Sequence, residues 1–186
     1  PYVTEMKDGY VLLYAAGYLA RIRPDLLLDT TLAEDFSAGI GRWSTLATEG
    51  VTAPDDPDGG RRHLLRMVKP NPNKPAAACI NFPYGESGEL TITLRIEPGF
   101  EGAHFTLSDH YDLPGLPREG SFPFRVTATG RAMIIGSGGT WLNAPGDLVT
   151  GKWHRLRLRW DCSEGRAKLW LDGTEIAVIE QFVRAR

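Results

Sequence analysis

Ser108, Asp109, His110, Tyr111 and Asp112 place a hydroxyl, an imidazole, a phenol and two carboxylates side by side, the richest polar cluster in the chain. Aspartate and histidine hydrogen-bond sugar hydroxyls, and Tyr111 or Trp141 would stack on a pyranose face, so the cluster reads as a sugar-binding loop. The same groups would serve a lyase, with His110 as base and Tyr111 as acid. A turn whose aspartates cap backbone amides also accounts for them. Other carboxylates are badly spaced for hydrolysis. Glu89 and Glu97 lie about 26 Å apart along one extended strand, against the roughly 5 to 10 Å of a glycosidase pair. Glu175 and Glu180 stand near the chain end, off any evident cleft. No catalytic residue is assigned on these grounds. His63, His104, His110 and His154 lack zinc-ligand spacing. Asp55-Asp56-Pro57-Asp58 and Asp109/Asp112 would suit calcium only with backbone carbonyls, because that ion takes six to eight oxygens.

A second set of residues points to charge recognition. Arg155, Arg157 and Arg159 alternate with Leu156, Leu158 and Trp160, and Arg166, Lys168 and Trp170 alternate with Ala167, Leu169 and Leu171. Arg95 and Arg125 point outward from strands of their own. Strands joined in one sheet would make a basic face carrying an aromatic. Guanidinium pairs bidentately with carboxylates and indole stacks on sugar rings, so this face (Arg95, Arg155, Arg157, Arg159, Lys168, Trp170) suits carboxylated or sulfated glycans. The alternatives are a surface docked on a neighbouring domain, or a solvated one whose charges Glu89, Glu97 and Asp172 balance.

The elements that position these groups are strands. Residues 155–161 and 166–172 form two period-2 runs joined by Cys162-Ser163-Glu164-Gly165, the pattern of an antiparallel hairpin with one buried face. A third run, 175–179, follows Asp172-Gly173, a pair that favours positive φ. Upstream, Leu90, Ile92, Leu94 and Ile96 alternate with Glu89, Thr91, Thr93, Arg95 and Glu97, predicting a half-buried strand. Residues 63–68, 76–82, 102–112 and 122–129 read as further strands, with 76–82 buried and Phe124, Val126 and Ala128 facing inward. Met133–Ile135 and Trp141-Leu142 continue the sheet, and 143–147 reads as a loop. Residues 10–15 and 18–23 form a hairpin that needs a surface to dock on. A short helix is expected only in the C-terminal tail. About a dozen short strands separated by turns predict an all-β chain folded as a two-sheet antiparallel β-sandwich or jelly roll.

Composition sets the outer bounds. The chain has 186 residues, 21 glycines, 13 prolines and 24% charged residues, which suits one globular sheet domain plus a short extra piece. Its net charge of -2 gives no global attraction to nucleic acid or membrane. No apolar run approaches the roughly 20 residues that span a bilayer. The chain opens on Pro1 without a signal-peptide pattern, and an excised or processed piece is expected. Cys79 and Cys162 are too few for a disulfide framework, leaving one bridge or two free thiols.

These residues carry a resemblance. Gly151-Lys152-Trp153-His154, Trp160-Asp161 and Leu169-Trp170-Leu171-Asp172-Gly173 resemble the last strands of the concanavalin A-like lectin/glucanase superfamily, in particular its laminin-G-like members. Leu32-Ala33-Glu34-Asp35-Phe36-Ser37 followed by Trp43 is similar to the entry strand of such modules in glycan-active enzymes. Asp8-Gly9-Tyr10-Val11-Leu12-Leu13-Tyr14 resembles the closing strands of glycoside-hydrolase β-propellers. The resemblance implies a hairpin over 1–29, either the end of a preceding propeller or an ordinary pair of sandwich edge strands, and a concanavalin A-like sandwich over 30–186. It implies an accessory carbohydrate-binding or structural module of a secreted or periplasmic carbohydrate-active enzyme, without chemistry of its own. The implied partners are a polysaccharide or oligosaccharide and a neighbouring catalytic domain, with neither nucleic acid nor membrane. The sugar contacts expected are Asp109, His110, Tyr111, Trp141 and Asn143, and one structural calcium is implied near Glu34 and Asp35. Two alternatives stay open: part of the active site of a glycoside hydrolase or polysaccharide lyase, and a laminin-G-like protein-binding domain. The Glu-x-Asp-x-x-Glu strand of the superfamily's β-glucan hydrolases is absent.

Overall fold

The structure, a computed structural model, describes residues 2–7, 9–15, 18–22, 29–46, 48–60, 63–73, 75–80, 82, 85–107, 120–136 and 139–180. Two compact units divide the chain, Pro1–Gly85 and Glu86–Arg186. The described residues fold into antiparallel strands with one 3-10 turn and no α-helix. The tail where a helix was expected lies outside the described residues.

In the first unit, β1 (Tyr2–Glu5), β2 (Val11–Ala15) and β3 (Tyr18–Ile22) form a meander in the order β1-β2-β3. The expected hairpin is thus two thirds of a three-stranded sheet, since Tyr2–Glu5 pairs along β2. β4 (Trp43–Leu46), β5 (Val51–Thr52), β6 (Arg66–Met67) and β7 (Ala77–Ile80) make two further ribbons, β4-β7 and β5-β6. Two expectations are corrected here. The strand expected over 63–68 shrinks to Arg66–Met67 plus a single bridge between Asp55 and His63. The run expected to be buried over 76–82 is half-buried through β7, and Phe82 is exposed.

The second unit is the sandwich. Its strands are β8 (Ser87–Arg95), β9 (Gly102–Leu107), β10 (Ser121–Thr127), β11 (Arg131–Ile135), β12 (Trp141–Asp147), β13 (Trp153–Asp161), β14 (Arg166–Leu171) and β15 (Thr174–Ile179). They form two four-stranded sheets, β12-β11-β10-β9 and β15-β14-β13-β8. Inward side chains of both sheets make one core, including Phe122, Phe124 and Val126 from the first and Leu156, Leu158 and Leu169 from the second. Phe105 stacks on Phe124, its direct cross-strand partner, with ring centroids 4.8 Å apart.

The period-2 pattern sets which residues enter this core. On β13, Leu156 and Leu158 oppose Ile92 and Leu90 on β8 and Leu171 and Leu169 on β14. Asp172 and Gly173, at φ 50° and 88°, form the two-residue turn between β14 and β15 that their residue types predict. Two readings are corrected. Ala128 is not inward: it is exposed in the turn closed by Gly130 N–H to the Thr127 carbonyl at 2.9 Å. Residues 143–147 are not a loop but belong to β12. β12 lies at a sheet edge, where Pro145 removes no ladder bond that a neighbour needs. Cys79 and Cys162 form no disulfide.

Gly88 sits opposite Trp160, and a Cβ there would overlap the indole. Gly88→Ala is therefore expected to destabilise the protein by about 1–3 kcal/mol through overpacking, seen as a lower urea midpoint. An unchanged midpoint would mean that the indole does not lie over Gly88.

Candidate functional site

The outer face of the β8-β13-β14-β15 sheet assembles the basic residues that the alternation put together. Arg155, Arg157 and Arg159 follow one another every second residue on β13, about 6.6 Å apart. Cross-strand partners complete the face: Arg157 opposes Thr91 and Trp170, and Arg159 opposes Glu89 and Lys168. Arg95 opposes Trp153 at the end of the β8-β13 ladder, with its guanidinium 5.2 Å from the ring centroid. Arg157 lies over Trp170 at 4.2 Å, a distance at which the ring quadrupole attracts the cation.

The cations differ in how they are neutralised. Lys168 pairs with Glu175 at 3.2 Å, Arg166 with Glu164 at 3.7 Å, and Arg95 with Glu97 at 2.6 Å. Arg155, Arg157 and Arg159 form no ion pair among the described residues. Asp172, expected to balance them, is engaged elsewhere. Arg155, Arg157, Trp170, Asp172 and Gly173 line an open concavity of about 540 Å³. It offers a stacked indole, two guanidinium groups and a carboxylate to a polar ligand.

Asp172, which lines this concavity, is held by a buried histidine. His154, 8% exposed, accepts at Nε2 from the Val149 N–H at 2.8 Å. The ring proton therefore sits on Nδ1, which donates to Asp172 Oδ2 at 2.7 Å. Asp172 Oδ1 accepts from the Arg155 N–H at 2.8 Å. Backbone donation from Arg155, then the bond from His154, holds the Asp172 carboxyl below its ordinary value of 3.8. The link ties the Gly-x-Trp-His segment to the Leu-Asp-Gly segment, a connection that sequence spacing did not reveal.

The opposite sheet presents a different cluster. His104, Arg125, Met133 and Asn143 oppose one another in a single row across β9, β10, β11 and β12. Trp141, two residues from Asn143, packs against Arg125 at 4.6 Å and meets His104 edge-on at 5.6 Å. Arg125, which would have joined the basic face only if its strand shared that sheet, belongs here, because β10 lies in the other sheet. Trp141 and Asn143 lie together on β12, while Asp109, His110 and Tyr111 lie outside the described residues. Sequence reasoning missed His104 and Met133. The alternation of β9 and β11 places them outward, but the pairing that sets them beside Arg125 is not visible in sequence.

At the entry segment, Asp35 Oδ1 caps Ser37 through its N–H at 3.0 Å and its hydroxyl at 2.7 Å, which lowers the Asp35 pKa. Phe36, at φ 59°, packs on Trp43 at 5.7 Å. Glu34 Oε1 accepts from the Phe36 N–H at 3.0 Å, while Oε2 is buried without a hydrogen-bond partner among the described residues and lies 3.9 Å from Arg42 Nη1. Among the described residues no group of three or more His, Cys, Asp or Glu side chains is arranged to hold a metal. Glu34 and Asp35 alone do not supply the oxygens that calcium takes.

No family model and no curated protein matches the chain. A solved sialidase superposes on 95% of this chain with a TM-score of 0.66 at 12% identity, and the match covers 16% of the sialidase chain. The shared property is the fold. A protein from Bacteroides ovatus described as carbohydrate-binding aligns over 72% of this chain and 42% of its own at 14% identity, with a TM-score of 0.38.

A carboxylate whose pKa is lowered in the folded state stabilises above its unfolded value, and the contribution is lost as pH falls through the folded value. Asp172→Asn is thus expected to weaken the protein at neutral pH and to flatten the loss of stability below about pH 5. Urea midpoints across an acid series would measure this. Identical acid limbs in variant and wild type would remove Asp172 from the account.

Proposed function

We propose that this chain is a carbohydrate-binding module of a carbohydrate-active enzyme, without chemistry of its own, and that it takes acidic glycans on the outer face of the β8-β13-β14-β15 sheet. The observation that carries the reading is the arginine row beside Trp170, without an ion pair among the described residues and opening onto the concavity. Guanidinium groups without carboxylate partners favour an anionic ligand, and a repeat of charges along one strand suits a polymer. A match to 16% of a sialidase chain fits a module within a larger enzyme. In this reading the sandwich is concanavalin A-like, the parent is secreted or periplasmic, and β1–β3 complete a neighbouring propeller. A structural calcium at the entry turn would use Glu34 Oε2 and Asp35, with further oxygens from outside the described side chains.

Affinity electrophoresis against acidic and neutral polysaccharides, at low and moderate salt, tests the proposal. Retardation by the acidic polymers should fade with salt. Arg157→Ala should weaken it about tenfold, the loss expected for one charge-assisted contact. Retardation by neutral polymers alone would remove the arginine row from the site. No retardation by any polymer would leave a structural module in place of a glycan binder.

A further inference from the structure

Arg125 is unusual among the arginines of the sandwich in where its donors go. It is half-buried, and its Nε and Nη2 both donate to the Met133 thioether, at 3.3 and 3.1 Å. Sulfur is a weak acceptor. The guanidinium also lies over the π-face of Trp141, at 4.6 Å. No carboxylate pairs with Arg125 among the described residues. Taking a cation part-way out of water without a counter-ion is costly unless something supplies the charge.

The flanks of this arginine are set by sheet register. His104 stands directly beside it on β9, and Asn143 stands beyond Met133 on β12. With strands about 4.8 Å apart, the row from His104 to Asn143 spans about 14 Å. Burial and the Arg125 charge hold the His104 imidazole below its ordinary pKa of 6.5. A neutral imidazole and a primary amide each donate and accept hydrogen bonds, which is what neighbouring sugar hydroxyls require.

The geometry points to a second glycan site on the β9-β12 sheet, in which Arg125 takes the carboxylate of a sugar acid while His104 and Asn143 hold its hydroxyls beside Trp141. The carboxylate replaces the weak N–H···S bonds with two charge-assisted ones on the planar edge of the guanidinium. The choice of a sugar over another carboxylate rests on the glycan-binding reading. The site itself does not depend on the arginine row, which lies on the other sheet.

Titration of the full chain with galacturonate, followed by the indole N–H resonances and assigned with Trp141→Phe, tests the site. Galacturonate should shift the Trp141 signal, and galactose and methyl galacturonate, which lack the free carboxylate, should not. Arg125→Gln should weaken the effect about tenfold or more, while Arg157→Ala leaves it unchanged. Arg125→Lys keeps the charge without the planar fork and should recover part of the affinity. An unmoved Trp141 signal in the wild type, or equal shifts in wild type and a folded Arg125→Gln, would overturn the assignment. Sodium sulfate producing the same shift would reduce it to a general anion contact and also overturn the sugar-acid reading. Loss of galacturonate binding in Arg157→Ala but not in Arg125→Gln would assign that binding to the arginine row alone.

Discussion

The pleat of β13 is the constraint on which the sandwich depends. This strand lies between β8 and β14, so both of its edges are hydrogen-bonded and its register is fixed from two sides. His154, Leu156, Leu158 and Trp160 enter the interior, and the residues between them face out. Burying a leucine side chain contributes about 1.5–3 kcal/mol. A slip of one residue would turn Arg155, Arg157 and Arg159 inward, exchanging that gain for the large cost of desolvating cations. Core formation and the display of an arginine row are thus one event. The proposed glycan face needs no folding information beyond what the core already demands.

Hydrogen bonding then fixes the end of this strand. The chain Val149 N–H to His154 to Asp172 to Arg155 N–H joins the segment before β13, the strand itself and the β14–β15 turn. A buried imidazole with both nitrogens satisfied stabilises one arrangement of these segments over others. Asp172 occupies a left-handed conformation at φ 50°, which an aspartate tolerates better than most residues. Since Asp172 and Gly173 also line the concavity, the link shapes the candidate site as well as the fold.

The opposite sheet uses its outer face differently. Its inner face is the aromatic half of the core, with Phe105 stacked on Phe124 and Phe122 fully buried. Phe122 adopts φ 51° at an irregularity in the β9–β10 pairing, and Pro123 beside it is also buried. On the outer side, Arg125 is covered by Trp141 and flanked by polar groups in one cross-sheet row. The two outer faces therefore present arginine in two settings: a row of three in which Arg157 lies over Trp170, and a single half-buried one over Trp141 that donates to a thioether.

Residue types and period-2 spacing by themselves determined the all-β class, the hairpin from β13 to β14, the tight turn at Asp172-Gly173 and the common face of the β13 arginines. These are local properties: alternation reports which side of a pleat a residue takes, and a two-residue turn reports its own φ angles. The same spacing mistook Asn143–Asp147 for a loop, because proline and glycine punctuate a chain except where an edge strand tolerates them. It also left open which sheet Arg125 faces out from, since alternation does not say which strands share a sheet. Tertiary structure alone decided that β8 joins β13 while β10 does not, that His154 finds Asp172 across 18 residues, and that His104, Arg125, Met133 and Asn143 fall in one row. The physical reason is that pairing between distant strands is settled by the packing of both sheets on one core, not by any segment's own pattern.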